Sequence, residues 1–233
     1  MFIAFTNIIH RKMGKIISFE GIDGTGKSFW AEKMGNCIFD NSIFITKKTL
    51  YYSEVEYVKK IGEHMQDILW GSRDEDPIEL LTNEGWLYLH LFWYTIFSKN
   101  VLEVFSKKYD YIFLDGWFYK ILARYMEKKK FDIKVLEQLF EHLVVPDLIV
   151  YLDIKPDVCY KRKKVFNKCE LGGMDGIQGE QKECFVNYQS LIRQNYLYLL
   201  DSINDRHKII VNEDQINELM MRDIIINKLS KGM

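Results

Sequence analysis

Residues Gly21, Ile22, Asp23, Gly24, Thr25, Gly26, Lys27 and Ser28 fit the pattern GxxxxGK[ST], and each fixed position has a chemical reason. The glycines let the backbone turn its N–H groups inward around phosphate oxygens. Lys27 has the reach for the β- and γ-phosphates of a nucleoside triphosphate, and the Ser28 hydroxyl is suited to Mg²⁺. All eight residues are therefore read as an ATP-binding loop. Such a pattern carries weight only in context, because a working cradle follows a buried strand and opens a helix. Lys15–Glu20, KIISFE, is a short β-rich run, and FWAEKM from Phe29 to Met34 continues without Gly or Pro.

A second candidate lies further along. Tyr111–Asp115, YIFLD, is a strand-like run ending in a carboxylate. Beside a phosphate loop, Asp115 is read as the acid that holds Mg²⁺ directly or through water. The plain alternative is an Asp that caps the next turn.

Five β-rich runs punctuate the chain: Lys15 to Glu20, Ser42 to Thr46, Tyr111 to Asp115, Leu148 to Asp153 and Lys208 to Asn212. Strands alternating with helical stretches predict an α/β fold with a parallel five-stranded sheet covered on both faces. Ligands of such sheets bind beyond the carboxyl ends of the strands, which here end in Glu20, Thr46, Asp115 and Asp153.

The 233 residues, 48% of them hydrophobic, are enough for one α/β domain with a large core, expected over residues 13–233. Residues 1–12 are expected to be a dispensable extension that need not be ordered, and they lack the features of a secretory signal. A net charge of −1 argues against a general nucleic-acid binder. No apolar run approaches the roughly 18 residues of a membrane span. Cys37, Cys159, Cys169 and Cys184 form no CxxC pair. Reduced thiols in a cytoplasm are the expectation, with no zinc site.

Between Glu79 and Phe105 runs a helical stretch rich in aromatics, with Trp86, Leu89, Trp93, Ile96 and Phe97 on one face. Most should face the core, while one or two, Trp93 among them, could floor an acceptor pocket by stacking on a planar ring. After the fourth strand, Lys161, Arg162, Lys163, Lys164 and Lys168 crowd together ahead of Gly172, Gly173, Gly176 and Gly179. This is either a solvated helix face or a basic lid, about residues 161–182, that closes over a triphosphate.

The order of these motifs resembles the thymidylate kinase family, within the wider nucleoside and nucleoside-monophosphate kinases. FEGIDGTGKS is similar to that family's phosphate loop, ITKK at 45–48 falls at its Thr-Arg-Glu-Pro turn, and FLDGWFYKILARY falls at its Asp-Arg-Tyr segment. YLDIKPDVCYKR resembles the strand and helix leading into the lid, MDGIQGEQKECFVNYQSLIRQNYLYL the lid end and following helix, and HKIIVNED the last strand. The resemblance implies a P-loop NTPase three-layer sandwich with a five-stranded parallel sheet and a basic lid. It implies ATP and Mg²⁺ as cofactors, with Lys27, Asp115 and Arg162 catalytic and Ser28 and Asp115 on the metal. It implies a nucleotide acceptor near Asp23, Lys47, Trp93 and Trp117, with Asp23 on a sugar hydroxyl. Members are often homodimers.

Three arginines of the family are missing from the matching segments: Gly116 follows Asp115, Gly176 follows Asp175, and spacing puts Thr95 at the position in the aromatic helix. Lys47 remains, and Arg73 or Arg124 could compensate. Three readings are open. The first is ATP-dependent transfer to a nucleoside monophosphate, with dTMP as default. The second is transfer to a hydroxyl, as in a deoxynucleoside or small metabolite, with Asp115, Glu54 or Glu56 as base. The third is a nucleotide-binding regulator without transfer activity.

Overall fold

The β-rich runs assemble into one sheet in the computed structural model of the chain, which describes residues 13–47, 53, 55–71, 77–128, 131–213 and 216–230. The extension at 1–12, Lys48, Glu54 and Arg73 lie outside the described residues. Strands β1 (Lys15–Glu20), β2 (Ser42–Ile45), β3 (Tyr111–Asp115), β4 (Leu148–Asp153) and β5 (Lys208–Asn212) pair in parallel in the order β2-β3-β1-β4-β5.

Burial explains the order. Ile17, Phe19, Ile112, Phe113, Ile149 and Val150 on the three inner strands are shielded from solvent on both faces, whereas β2 and β5 are half exposed. Full burial of a side chain such as Phe19 contributes roughly 1.5–3 kcal/mol, so the continuous apolar runs belong in the middle. Register then aligns the chemistry, because Phe19 lies opposite both Asp115 and Val150, bringing the carboxyl ends of β1 and β3 level. Thr46 falls just outside β2: pairing ends with Ile45 against Leu114, and Thr46 turns into a cleft instead.

Helices cover the sheet. They are α1 (Lys27–Lys33), α2 (Glu56–Trp70), α3 (Pro77–Phe97), α4 (Glu103–Phe105), α5 (Tyr119–Tyr125), α6 (Ile133–Phe140), α7 (Pro156–Arg162), α8 (Gln181–Asp201) and α9 (Glu218–Ser230). α1 packs on β1 and β3, α9 on β4, and α5 on α8. Trp86, Trp93 and Phe97 of α3 are buried, with Leu89 and Ile96 partly buried against the same core.

Two features interrupt the long aromatic stretch. Thr82 has φ of +59°, which breaks α3, and its Oγ1 accepts the N–H of Gly85 at 3.4 Å as the helix resumes. A π turn at Ser98–Leu102 joins α3 to α4. Such a turn takes one residue more than the α-helix around it, so it rotates the helix before it relative to the chain after it.

Candidate active site

The glycine-rich loop forms a strand-to-helix turn as its pattern requires. Gly26, with φ of +91°, precedes the first residue of α1, and the Trp30 N–H reaches its carbonyl at 3.1 Å. Thr25 Oγ1 donates to the Ile22 carbonyl at 3.0 Å, and Lys27 Nζ donates to the same oxygen at 3.2 Å. Gln189 of α8 clamps the loop from behind: its Oε1 accepts the Asp23 N–H at 3.1 Å, and its Nε2 donates to the Glu170 carbonyl at 2.8 Å.

A cleft of about 290 Å³ opens in front of this loop. Asp23, Lys27, Ser28, Lys47, Trp93, Asp115 and Trp117 all line it. The residues read from the sequence on the loop, the third strand, the second turn and the aromatic helix therefore meet at one place. Asp115 Oδ1 is buried and has no hydrogen-bond partner among the described residues. A carboxylate oxygen left in that condition fits a cation ligand, and with the Ser28 hydroxyl lining the same cleft the donor set is hard and oxygen-only, as Mg²⁺ prefers.

Arg162 lies apart. It ends α7 and donates to Glu213 at 2.7 Å, half exposed at the surface. Lys163 pairs with Glu170 at 3.1 Å, and Asp175 receives Lys128 and, at 2.7 Å, the Tyr188 hydroxyl. The stretch from Lys168 to Asp175 thus folds down against α5 and α8. Asp153, at the mouth of β4, is held by Arg193 through two bonds of 2.6 and 2.7 Å, so it serves as an anchor for α8. Glu56 sits exposed at the start of α2, 3.9 Å from Lys60.

Sequence reasoning passed over Lys120 as a functional residue and treated Arg124 only as a remote substitute. Both line the cleft from α5 and both pair with Asp23, Arg124 at 3.2 Å and Lys120 in a shorter contact. Lys27 approaches the same carboxylate at 3.9 Å. Burial works against the charge on Asp23, but Lys120, Lys27 and Arg124 outweigh it and hold its carboxyl well below the usual range. Lys120 is pushed down to about 7, chiefly by burial and further by Lys27, Arg124 and Lys47, with only Asp23 opposing. The i, i+4 spacing of two bases directly after a strand-end carboxylate was the available signal.

No family model matches the chain. Curated relatives do. A probable thymidylate kinase of Sulfolobus acidocaldarius is 28% identical over 211 residues, spanning 88% of this chain and 92% of that protein. The thymidylate kinase of Buchnera aphidicola is 25% identical over 190 residues, 80% of this chain and 82% of that protein. That of Caldanaerobacter subterraneus is 26% identical over 201 residues, 84% and 86%. Over most of its length the chain is similar to thymidylate kinases. The crystal structure of thymidylate kinase from Ehrlichia chaffeensis shares the fold, with a TM-score of 0.53 at 14% identity over 91% of this chain and 97% of that one.

As a thymidylate kinase relative, the chain departs from the pattern at the missing arginines, and the backbone accounts for two of them. Gly116 and Gly176 have φ of +75° and +79°, a region that side-chain-bearing residues rarely enter. An Arg at either position would be strained in this backbone. Spacing along the aromatic helix led to Thr95, but Thr95 turns away and bonds to the Leu91 carbonyl and to His142 Nε2. Its neighbour Tyr94 lines the cleft, as does His90 one turn earlier. The π turn at Ser98–Leu102 lies between this helix and β3.

Proposed function

We propose that the protein is an ATP-dependent kinase that transfers the γ-phosphate to a nucleoside 5′-monophosphate, with dTMP as the first candidate. Supporting this is the convergence on one cleft of Lys27, Ser28 and Asp115, which suit a triphosphate, with Asp23, Lys47 and the α5 cations, which suit a second anion. Ser28 and Asp115 are the residues that would hold Mg²⁺, which when bound would supply charge neutralisation. An acceptor phosphate oxygen is already a nucleophile. Catalysis then reduces to alignment and charge stabilisation by this chain's residues, without a general base.

In this reading Lys27 follows the γ-phosphate, and Arg162 leaves Glu213 when the basic segment meets the triphosphate. Trp93 and Trp117 supply apolar walls, although the Trp117 indole N–H is committed to the Val144 carbonyl at 2.8 Å. Exposed Tyr88 and Phe92 give α3 an apolar face for a homodimer. Among the described residues no helix is long and apolar enough to cross a membrane.

The test is ADP release from ATP·Mg²⁺ against nucleoside monophosphates, deoxynucleosides and a no-acceptor control, with Lys27→Ala as the folded, inactive reference. Turnover with dTMP or another monophosphate is expected. Turnover only with unphosphorylated acceptors, or with none, overturns the reading.

A further inference from the structure

The cleft carries more positive charge than a triphosphate site alone requires. Four cations, Lys27, Lys47, Lys120 and Arg124, face two carboxylates, Asp23 and Asp115. Lys27 belongs to the phosphate loop and Lys47 stands exposed at the rim, beside the Trp70 ring at 5.5 Å. The two bases from α5 are different, because they are largely withdrawn from solvent and share a single carboxylate. With Lys120 protonated, two cations held against one anion leave an uncompensated positive charge at a site where charge is costly.

We infer that Lys120 and Arg124 are the ligands of the acceptor's phosphate group, a cationic pair on α5 standing in for the arginines that the glycines at 116 and 176 preclude. The inference rests on the kinase reading above and deepens it. Each base has capacity left. Arg124 Nε is buried without a hydrogen-bond partner among the described residues, and an ammonium has three protons to give while Lys120 makes one bond here, to Asp23. Lys27 approaches the same carboxylate as this pair, so Asp23 links the cation of the donor phosphates to those proposed for the acceptor.

The chemistry selects the acceptor class. A phosphate monoester dianion supplies the charge that balances the pair, and its oxygens accept from both bases at once. A neutral nucleoside leaves the excess charge in place and gains nothing from it. The structure therefore favours a 5′-monophosphate over a hydroxyl acceptor.

Calorimetric titration tests this with five deoxynucleoside 5′-monophosphates and their matched nucleosides, those of thymine, uracil, cytosine, adenine and guanine. The proteins are wild type, Lys120→Met, Arg124→Met and Lys120→Arg, with ATP·Mg²⁺ affinity as the control for an intact fold. At least one monophosphate should bind wild type about tenfold or more tightly than its nucleoside. Each Met variant should lose about tenfold of that preference, one power of ten being about 1.4 kcal/mol, while ATP affinity holds and Lys120→Arg retains most of it. An unchanged preference in both Met variants overturns the inference, as does equal binding of nucleoside and monophosphate by wild type. If a Met variant no longer binds ATP·Mg²⁺, the wild-type preference and the Lys120→Arg result decide. Preferential monophosphate binding that depends on the pair, without any ATP turnover, leaves the inference standing and defeats the kinase reading.

Discussion

The carboxylate of Glu20, at the end of β1, accepts the backbone N–H of Trp117 at 2.6 Å, tying the phosphate-loop strand to the turn that follows Asp115. Ser18 Oγ at 2.6 Å and the Tyr196 hydroxyl at 2.9 Å complete its coordination. Burial raises its pKa despite the bonds from Ser18, Tyr196 and Trp117 and the nearby Lys27. Glu20→Ala leaves three buried donors without an acceptor, and the expected loss of stability is about 3 kcal/mol. Urea unfolding measures it. A loss under about 1 kcal/mol would show that the junction between β1 and the Trp117 turn is held by other contacts.

Asp115→Asn separates a metal role from a structural one. The Oδ1 atom has no partner to lose among the described residues, so the variant should be as stable as wild type or more so. The Mg²⁺ concentration for half-maximal turnover should rise about tenfold or more. An unchanged Mg²⁺ requirement would remove Asp115 from the metal site.

Lys120 makes acceptor binding pH-dependent, and the sign is fixed by its low pKa. With a pKa near 7, it is charged below that pH and neutral above. Monophosphate affinity should therefore fall as pH rises from 7 to 8.5, while ATP affinity holds. Stability of the empty protein responds in the opposite sense. The unfolded chain keeps this lysine protonated to about 10.4, so the unfolded state binds more protons across that window and the contribution of Lys120 to stability grows with pH. Lys120→Met should flatten both slopes. Parallel slopes in variant and wild type would contradict the assignment.

Arg162 pairs with Glu213 at the surface, and such pairs are worth about 0–1 kcal/mol. Arg162→Ala should leave the melting temperature almost unchanged while lowering kcat about tenfold, since the charge acts on the triphosphate only when the basic segment closes. A kcat equal to wild type would make Arg162 a surface residue and no more.

The sheet and the phosphate loop were legible because their signals are local. Four strands have the bounds that their β-rich runs suggested, and β2 stops one residue short, where Thr46 leaves the ladder for the cleft. Strand-end acids were less informative: Glu20 and Asp153 have the same position as Asp115, yet Tyr196 and Arg193, both from α8, occupy them. Those partners lie 176 and 40 residues away, beyond the reach of any pattern. Lys120 and Arg124 were visible as bases on one helix face but had no motif to give them meaning. Their role depends on Asp23, 97 and 101 residues distant.

The π turn at Ser98–Leu102 bears on how the helix that lines the acceptor side of the cleft can change. One extra residue there shifts the helical phase of everything upstream by about 100°, the angle per residue of a helix with about 3.6 residues per turn. A single codon gained or lost in that turn can thus replace the whole set of α3 side chains presented to substrate while the β-sheet stays as it was. Selectivity for the acceptor then becomes adjustable in one step, by insertion, where point substitutions would have to change several aromatic residues together.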